Sequence, residues 1–279
     1  MKTLSSLLFL MVQMTAFMYA QTPVRVSGRL MNTQRQPLAY VSIGVAGTAV
    51  GTVSDEQGKF ELYLSSEGNV VFSLIGYRSL TLSTAALKTN SAEQSIVMEE
   101  QPFQLPEIRI SNREQVTKTI GGDKANAKTS TNFAIGSKPS QNLGAEIGRK
   151  FNLPHAVCRL EKYRFYLQSN FESVKFRVNV YSLKGMENLL LQNIYYTTSG
   201  KVNGWIEIDL TPYAIEVSDN IVVSIQWIES KGKGSYLRMP IQMPALAVHY
   251  YKYGSQDSWK KFNGMTTAMN LTFLAVRAK

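Results

Sequence analysis

Cysteine and histidine are scarce in this chain of 279 residues, and their scarcity excludes several kinds of site. Cys158 is the only cysteine, so no disulfide can form within the chain. His155 and His249 are the only histidines, and no zinc-type spacing can be assembled from these three residues. We therefore predict no metal site, no cofactor, and a buried, inert thiol at Cys158, which follows two apolar residues. Calcium, which needs only oxygen ligands, stays open.

Long apolar runs are absent after the first twenty residues. Lys2 precedes the apolar stretch Leu4–Phe17, and Ala20 offers a small residue before a cut at Gln21. This layout is typical of a secretory signal peptide over residues 1–20, and the run is short for a membrane span, which needs about 20 apolar residues. A retained N-terminal anchor is the alternative. We expect an exported protein, in the periplasm, at the outer membrane or on the cell surface, with peripheral membrane association left open.

Positive charge is concentrated in the second part of the chain. Residues 21–112 contain 7 Lys and Arg against 8 Asp and Glu, whereas residues 113–279 contain 22 against 12. A basic unit outside the cytosol rarely meets nucleic acid, so we expect none as a partner. We expect an anionic glycan, a lipopolysaccharide phosphate or an acidic envelope protein instead. A self-repelling, soluble surface is the simpler interpretation of the same charge.

The hydrophobic pattern predicts an all-β protein. Residues 21–100 contain seven short apolar or alternating segments, which predict a small seven-stranded sandwich. Phe60, Leu62 and Leu64 alternate on one strand, directly after a turn that Asp55 and Gly58 are suited to form.

The order of motifs in residues 24–99 resembles that of the carboxypeptidase-regulatory-like domain. The motifs are Val26-x-Gly28, Pro37-Leu38-Ala39-x-Val41-x-Ile43, Gly51-Thr52-x-Ser54-Asp55-x-x-Gly58-x-Phe60 and Ser73-x-Ile75-Gly76-Tyr77. The resemblance implies a transthyretin-like sandwich from an exported protein of Bacteroidota-type bacteria. Such domains often precede TonB-dependent outer-membrane transporters, and Leu105–Ile110 is similar to the stretch that follows them. The rest of the chain is too short for a barrel of about 22 strands, so we expect no transport by this chain.

A polar segment separates the first sandwich from a second one. Residues 101–132 are rich in Lys, Asn and Thr and predict an exposed linker. Residues 133–279 contain about eight strand-like segments, which predict a jelly-roll-like sandwich. On the clearest of these, Val174–Tyr181, we expect Lys175, Arg177 and Asn179 to face outward, and we also predict a strand at Leu189–Leu191. The strand Phe176-x-Val178-x-Val180-Tyr181 is followed by Gly204-Trp205-x-x-x-Asp209-Leu210 and Ile221-Val222-Val223-Ser224-Ile225. In this order of motifs, residues 160–230 loosely resemble accessory jelly rolls of exported bacterial proteins, some of them carbohydrate-binding.

Carboxylate pairs are the one remaining sign of catalysis. Glu207 and Asp209 share a face of one strand, and a glycosidase needs two carboxyls about 5–9 Å apart. Ile206, Ile208 and Leu210 already explain the alternation, so we interpret the two acids as the solvent face of that strand. We predict no catalytic residues; a glycoside-active enzyme is the less favoured alternative.

Aromatic and basic residues cluster near the end of the second sandwich. Sugars stack on exposed aromatic rings, and neighbouring lysines favour acidic sugars. The alternative is that these rings pack the core. We predict a non-catalytic protein that binds or positions a ligand, with a structural or assembly partner of an outer-membrane complex as the alternative. The candidate ligand-binding residues are Tyr251, Lys252, Tyr253, Trp259, Lys260 and Lys261.

Overall fold

The computed structural model describes residues 23–89, 94–101, 115–125, 127–133, 143–154 and 156–276. Apart from one short helix and one 3₁₀ turn, the regular elements of these ranges are strands, which confirms the all-β prediction. The predicted signal peptide, the segment Leu105–Ile110 and His155 lie outside the described residues. No helix within the described ranges is long and apolar enough to cross a membrane.

The N-terminal unit contains seven strands in two small sheets, as its pattern predicts. One sheet has the order β4-β1-β7 and the other the order β3-β2-β5-β6, and helix α1 (Thr84–Lys88) follows β6. The strands are β1 Val24–Met31, β2 Ser42–Val45, β3 Gly51–Val53, β4 Lys59–Leu64, β5 Asn69–Ser73, β6 Leu80–Ser83 and β7 Gln94–Val97.

The core of this unit follows the alternation of its strands. On β4, Phe60, Leu62 and Leu64 are buried while the residues between them are exposed. Their side chains share one apolar cluster with Leu30 of β1 and Phe72 of β5, which are fully buried. The two sheets therefore close on each other through their apolar faces.

The predicted Asp–Gly turn precedes β4. The Asp55 carboxylate accepts hydrogen bonds from the backbone N–H of Gln57 (2.9 Å) and of Lys59 (2.8 Å). Gly58 has φ +75°, a left-handed conformation that residues with a Cβ adopt only with strain. This turn sets the register in which Phe60 reaches the core.

The C-terminal unit is a sandwich of two larger antiparallel sheets. The six-stranded sheet has the order β13-β12-β16-β10-β18-β19. The eight-stranded sheet has the order β20-β17-β11-β21-β8, with β14 and β15 paired to β11 and β9 to β17. The strands are β8 Gln115–Gly121, β9 Thr129–Asn132, β10 Glu146–Phe151, β11 Cys158–Ser169, β12 Ser173–Ser182, β13 Ile194–Thr197, β14 Val202–Asp209, β15 Glu216–Val217, β16 Ile221–Lys231, β17 Leu237–Gln242, β18 Val248–Lys252, β19 Lys260–Asn263, β20 Thr266–Thr267 and β21 Met269–Val276.

The predicted linker over residues 101–132 requires a correction. β8 and β9 lie within that range, and they pair with β21 and β17 of the eight-stranded sheet. The residues of β8 are exposed or half-buried, so its sequence carries no alternating apolar signal. Backbone hydrogen bonds to the neighbouring strand hold it in place instead.

Large aromatic side chains fill the space between the two sheets. Phe176 lies within 5.6 Å of Phe133 and 6.0 Å of Phe165, measured between ring centroids. Trp227, on β16, is fully buried in the same cluster. Cys158 is also buried there, as predicted, and burial raises the pKa of its thiol.

The N-terminal unit packs on the outer face of the six-stranded sheet. Arg177 Nη2 donates to Ser42 Oγ (2.6 Å) and to Gln226 Oε1 (2.7 Å). The Tyr40 hydroxyl lies 2.8 Å from Glu56 Oε1 and 2.7 Å from Glu229 Oε2. Polar contacts therefore dominate the interface between the N-terminal and C-terminal units, with a small apolar cluster of Tyr40, Val53 and Ile228 beside them.

A second set of contacts extends this interface towards the β18–β19 loop. Ser255 Oγ donates to Thr52 O (3.0 Å), and Gln256 Nε2 donates to Ser73 Oγ (2.7 Å). Arg177 and Asn179 face outward from the sandwich core, as predicted, but both are buried. The docked unit and the loop after β12 cover them.

Candidate functional site

The predicted aromatic and lysine residues do not form one surface. Tyr251 points between the sheets, where its hydroxyl donates to Asn132 O (2.6 Å), and burial raises the pKa of that hydroxyl. Tyr253 packs against Tyr251 with ring centroids 4.6 Å apart. Lys252 lies between them in sequence, and its side chain leaves on the opposite face of the sheet because neighbours on a strand alternate.

Lys252 lies in an aromatic cluster on the outer face of the six-stranded sheet. Its ammonium is 4.9 Å from the Trp259 ring and 5.7 Å from the Tyr181 ring. Trp259 also packs edge-on against Tyr181 and Tyr250. The half-buried Trp259 ring is thus largely occupied by neighbours within the chain.

A buried carboxylate anchors this cluster. Glu146 is fully buried, and its carboxylate lies 3.3 Å from Lys252 Nζ. It also accepts from Asn179 Nδ2 (2.8 Å), Ser224 Oγ (2.5 Å) and the Tyr181 hydroxyl (3.3 Å). Burial, and then the Glu146 charge, raise the pKa of Tyr181. These contacts satisfy the buried charge, which is otherwise costly.

The remaining lysines of the predicted set lie at the sheet edge. Lys260 and Lys261 begin β19, the edge strand next to β18. The Lys260 side chain is 43% exposed; its ammonium lies 3.7 Å from the Asp257 carboxylate and donates to Ser258 Oγ (3.2 Å). Lys261 is exposed. They are the accessible members of the predicted set.

The carboxylates Glu207 and Asp209 lie on the exposed face of β14, as the alternation predicts. Glu207 forms ion pairs with Lys162 (2.8 Å) and Arg164 (3.5 Å). Asp209 accepts from Thr211 N (2.9 Å) and Thr211 Oγ1 (2.6 Å), which lower its pKa. Each acid therefore has a structural partner on the strand or at its end.

The sequence did not predict a cleft of about 670 Å³ at one end of the sandwich. We call it the end cleft; its walls are the loop after β12 and the segment from the 3₁₀ turn Thr211–Tyr213 to β16. Its floor is apolar and buried. The aliphatic residues that line it are Val157, Leu183, Leu189, Leu190, Leu191, Ala214, Ile215, Val217 and Ile221.

Exposed aliphatic side chains mark the mouth of the end cleft. Val157 is 52% exposed, Leu189 39% and Leu191 38%. The three leucines that we predicted as a strand instead form one wall, outside regular structure. A run of leucines beside Gly185 and Asn188 was the available signal, because exposed apolar side chains on a loop are typical of a binding surface.

Two residues in the cleft walls adopt left-handed backbone conformations without being glycine. They are Met186 (φ +53°) and Ala214 (φ +47°). Such conformations cost about 1–3 kcal/mol and persist only where the surroundings impose them. They fix the shape of both walls.

The end cleft and the N-terminal unit lie at opposite ends of the six-stranded sheet. Ser182 pairs with Ile221 at the cleft, whereas the N-terminal unit contacts Lys175 and Arg177. At about 3.3 Å per residue, the five residues from Arg177 to Ser182 span about 17 Å. The docked unit therefore leaves the cleft open.

No metal-binding constellation accompanies these features in the described part of the chain. No group of three or more His, Cys, Asp or Glu side chains there could hold an ion.

Residues 26–110 match the CarboxypepD_reg-like domain family. The match confirms the resemblance of the first unit and extends into the segment that we predicted as a linker. No curated protein matches the chain.

Solved structures give distant likenesses. The cysteine protease and lectin-like domains of Cwp84, a surface-layer-associated protein of Clostridium difficile, share 8% identity at a TM-score of 0.36. The match covers 92% of this chain and 59% of that one, so this chain spans about three fifths of that structure.

Two further likenesses are weaker. A structure of infectious bursal disease virus, Gx strain, has 11% identity, a TM-score of 0.27, and coverage of 90% of this chain and 64% of that one. A structure of carbohydrate-binding modules from the β-sandwich superfamily has 9% identity, a TM-score of 0.19, and coverage of 86% and 97%. TM-scores this low carry no argument about function.

Proposed function

We propose that the chain is an exported, non-catalytic protein of the cell envelope that holds an aliphatic, cationic segment of a partner protein in its end cleft. The observation that carries this proposal is the aliphatic lining of the cleft, with Val157, Leu189 and Leu191 exposed at its mouth. Exposed aliphatic side chains gathered around a cleft are typical of a binding surface. Tyr213 is the one aromatic residue among the described residues of the lining, which favours aliphatic side chains over sugar rings.

The charge of the cleft supports a cationic occupant. Among the described residues that line it, Glu216 and Asp219 are acidic and Lys184 is basic. The surrounding unit is strongly basic, so this region differs in sign from the rest of its surface. Opposite charge across an interface speeds association and selects the partner.

The N-terminal unit would position the cleft. It docks on the far end of the same sheet through the Arg177 and Tyr40 contacts. The N-terminal unit would therefore have a fixed orientation relative to a partner bound in the end cleft. This role agrees with the alternative of an assembly partner at the outer membrane.

Synthetic peptides test the proposal. We expect the full mature chain to bind a short peptide of alternating Leu and Lys, and to bind Leu–Glu and Ser–Lys peptides more weakly, as measured by calorimetry. Leu191→Ser should weaken binding about 5- to 30-fold, because each leucine contributes about 1–2 kcal/mol when its exposed part is buried. Phe262→Ser, on the edge strand β19, is the matched control.

Equal binding of the three peptides, or unchanged binding by Leu191→Ser, would exclude the end cleft as the partner site. Catalytic turnover of a glycoside by the same preparation would exclude the non-catalytic role.

An acidic glycan is the second candidate ligand, and half-buried Lys260 and exposed Lys261 beside half-buried Trp259 favour it. Coulomb attraction at an exposed edge weakens with salt, because the screening length is about 8 Å at physiological ionic strength. We expect an acidic polysaccharide to bind the mature chain less tightly at high salt and after Lys260→Ala with Lys261→Ala. Trp259→Ala is less informative, because Tyr181 and Tyr250 pack against that ring.

A further inference from the structure

Unpartnered polar atoms cluster around one arginine inside the C-terminal sandwich. Five buried side-chain N or O atoms of the described residues lack a hydrogen-bond partner, and four of them belong to this cluster. They are Arg149 Nε, Tyr163 Oη, His249 Nδ1 and Thr267 Oγ1. Buried polar atoms are nearly always hydrogen-bonded, so four in one place call for an explanation.

Several contacts place these groups together. Arg149 Nη1 donates to Thr267 O (3.1 Å), and His249 is the residue opposite Arg149 on the neighbouring strand β18. Burial raises the pKa of Tyr163, and the Arg149 charge opposes that rise. Tyr163, His249 and Thr267 are themselves almost completely buried.

Arg149 also lines a second cavity, of about 640 Å³, which we call the Arg149 cavity. Arg149 and Lys150 are the charged residues of its lining, which contains no carboxylate among the described residues. The apolar part of the lining includes Ile120, Phe151, Leu246 and Val248. Leu246 is fully exposed at the tip of the β17–β18 loop.

The Arg149 guanidinium lacks a counter-ion within the described residues, where no carboxylate lies within ion-pair distance of it. It donates to two backbone carbonyls, and burial lowers its pKa. The charge of exposed Asp123 acts on it weakly, and that carboxylate is bonded to Asn270. A partly buried cation without a paired anion is costly, and guanidinium geometry matches carboxylate and phosphate.

We propose that the Arg149 cavity binds an amphipathic acid, with its carboxylate or phosphate group on Arg149 and its aliphatic body along Leu246 and Val248. Lys150, the next residue of β10, is the other cation among the described lining residues. The cavity size lies within the range of about 300–1,000 Å³ that is usual for small-molecule sites. The site is separate from the end cleft and does not depend on the function proposed for it.

Simple amphiphiles test this site on the full mature chain. We expect octanoate and octyl phosphate to bind, and comparison of the two identifies the preferred anionic group. Acetate should bind at least about 100-fold more weakly than octanoate, because each buried CH₂ contributes about 0.8 kcal/mol. Neutral 1-octanol should bind more weakly than either anion. At 100 times its Kd, a ligand should raise the unfolding midpoint by about 5–10 °C.

Variants of Arg149 separate binding from folding. Arg149→Met should weaken octanoate binding about 10- to 150-fold, the effect of losing charge-assisted hydrogen bonds. Arg149→Lys keeps the charge and should retain part of the affinity, which makes it the variant to use if the methionine substitution prevents folding. Arg159→Met, at an exposed position of β11, is the matched control and should bind normally.

Two results would overturn the proposal. One is octanol binding as tightly as octanoate, which would remove the role of charge. The other is octanoate binding that is unchanged in both Arg149 variants. Leu191→Ser should leave octanoate binding intact, so a failure here is distinguishable from a failure at the end cleft.

Discussion

Replacement of Gly58 by alanine tests the packing of the turn before β4. A Cβ at this position would lie 2.4 Å from Leu30 O and 3.2 Å from Leu38 N. Neither group can withdraw freely, because Leu38 N donates to Leu30 O (2.9 Å) and Leu30 N donates to Gly58 O (2.8 Å). The substitution therefore combines a steric clash with a left-handed backbone.

The two effects can be estimated separately. A left-handed conformation costs a residue with a Cβ about 1–2 kcal/mol, and overpacking costs about 1–3 kcal/mol. Loss of the glycine's freedom in the unfolded chain offsets about 0.4–1 kcal/mol. We expect Gly58→Ala to lower the free energy of unfolding by about 2–4 kcal/mol, and the larger Gly58→Val to lower it by at least as much.

Gly47 supplies the matched control. Its φ is +71°, close to that of Gly58, but a Cβ there would meet nothing within 4 Å. Gly47→Ala should therefore cost only about 1 kcal/mol. Urea unfolding followed by circular dichroism measures both variants, with hydrogen exchange at Leu62 to assign the loss to the first unit. Equal losses for the two alanines would refute the role assigned to the Leu30 carbonyl.

Three further predictions concern buried groups. Burial lowers the pKa of His249 from 6.5 to about 4, so the unfolded chain binds more protons between these values. The free energy of unfolding should fall by about 3 kcal/mol as pH drops from 6.5 to 4, and His249→Asn should remove that dependence in urea titrations. Lys252→Met should cost about 3–5 kcal/mol by leaving Glu146 unpaired, and Glu146→Gln in the same chain should restore part of it; no recovery would contradict the pairing. Tyr40→Phe and Glu229→Ala should show a coupling of about 1 kcal/mol in a double-mutant cycle, and additivity would exclude that contact from stabilising the interface between the two units.

The sequence predicts strands best where one face is apolar. β12 alternates over its length, and its inward residues Phe176, Val178 and Val180 are buried as expected. The outward residues Arg177 and Asn179 are also buried, which alternation cannot foresee. Another unit covers them, and that contact is set by tertiary packing.

Edge strands were harder to predict. β8 has no fully buried residue, so its Thr and Lys residues indicated a linker. The strand exists because β21 presents unpaired backbone groups beside it. The amino-acid composition of a segment does not show whether a neighbouring strand has unpaired backbone N–H and C=O groups with which it can form a sheet.

The candidate sites show the same division. Tyr251 and Lys252 are neighbours in sequence, and for that reason we predicted that they belong to one binding site. Their side chains lie on opposite faces of the sheet, because neighbours on a strand alternate. The Arg149 cavity joins residues from β8, β10, β18 and β19, which are far apart in sequence. The domain resemblance needed only local motifs, and the family match confirms it.

The length of β12 sets the distance between the N-terminal unit, which contacts Arg177, and the end cleft, which begins at Ser182. Matched insertions of two residues in β12 and in its partner β16 would preserve which side chains face inward and lengthen both strands by about 7 Å. The cleft would then be displaced outward by one step while the Arg177 contacts stayed in place. In related chains, the distance between the first unit and the cleft would therefore change in steps of two residues, or about 7 Å.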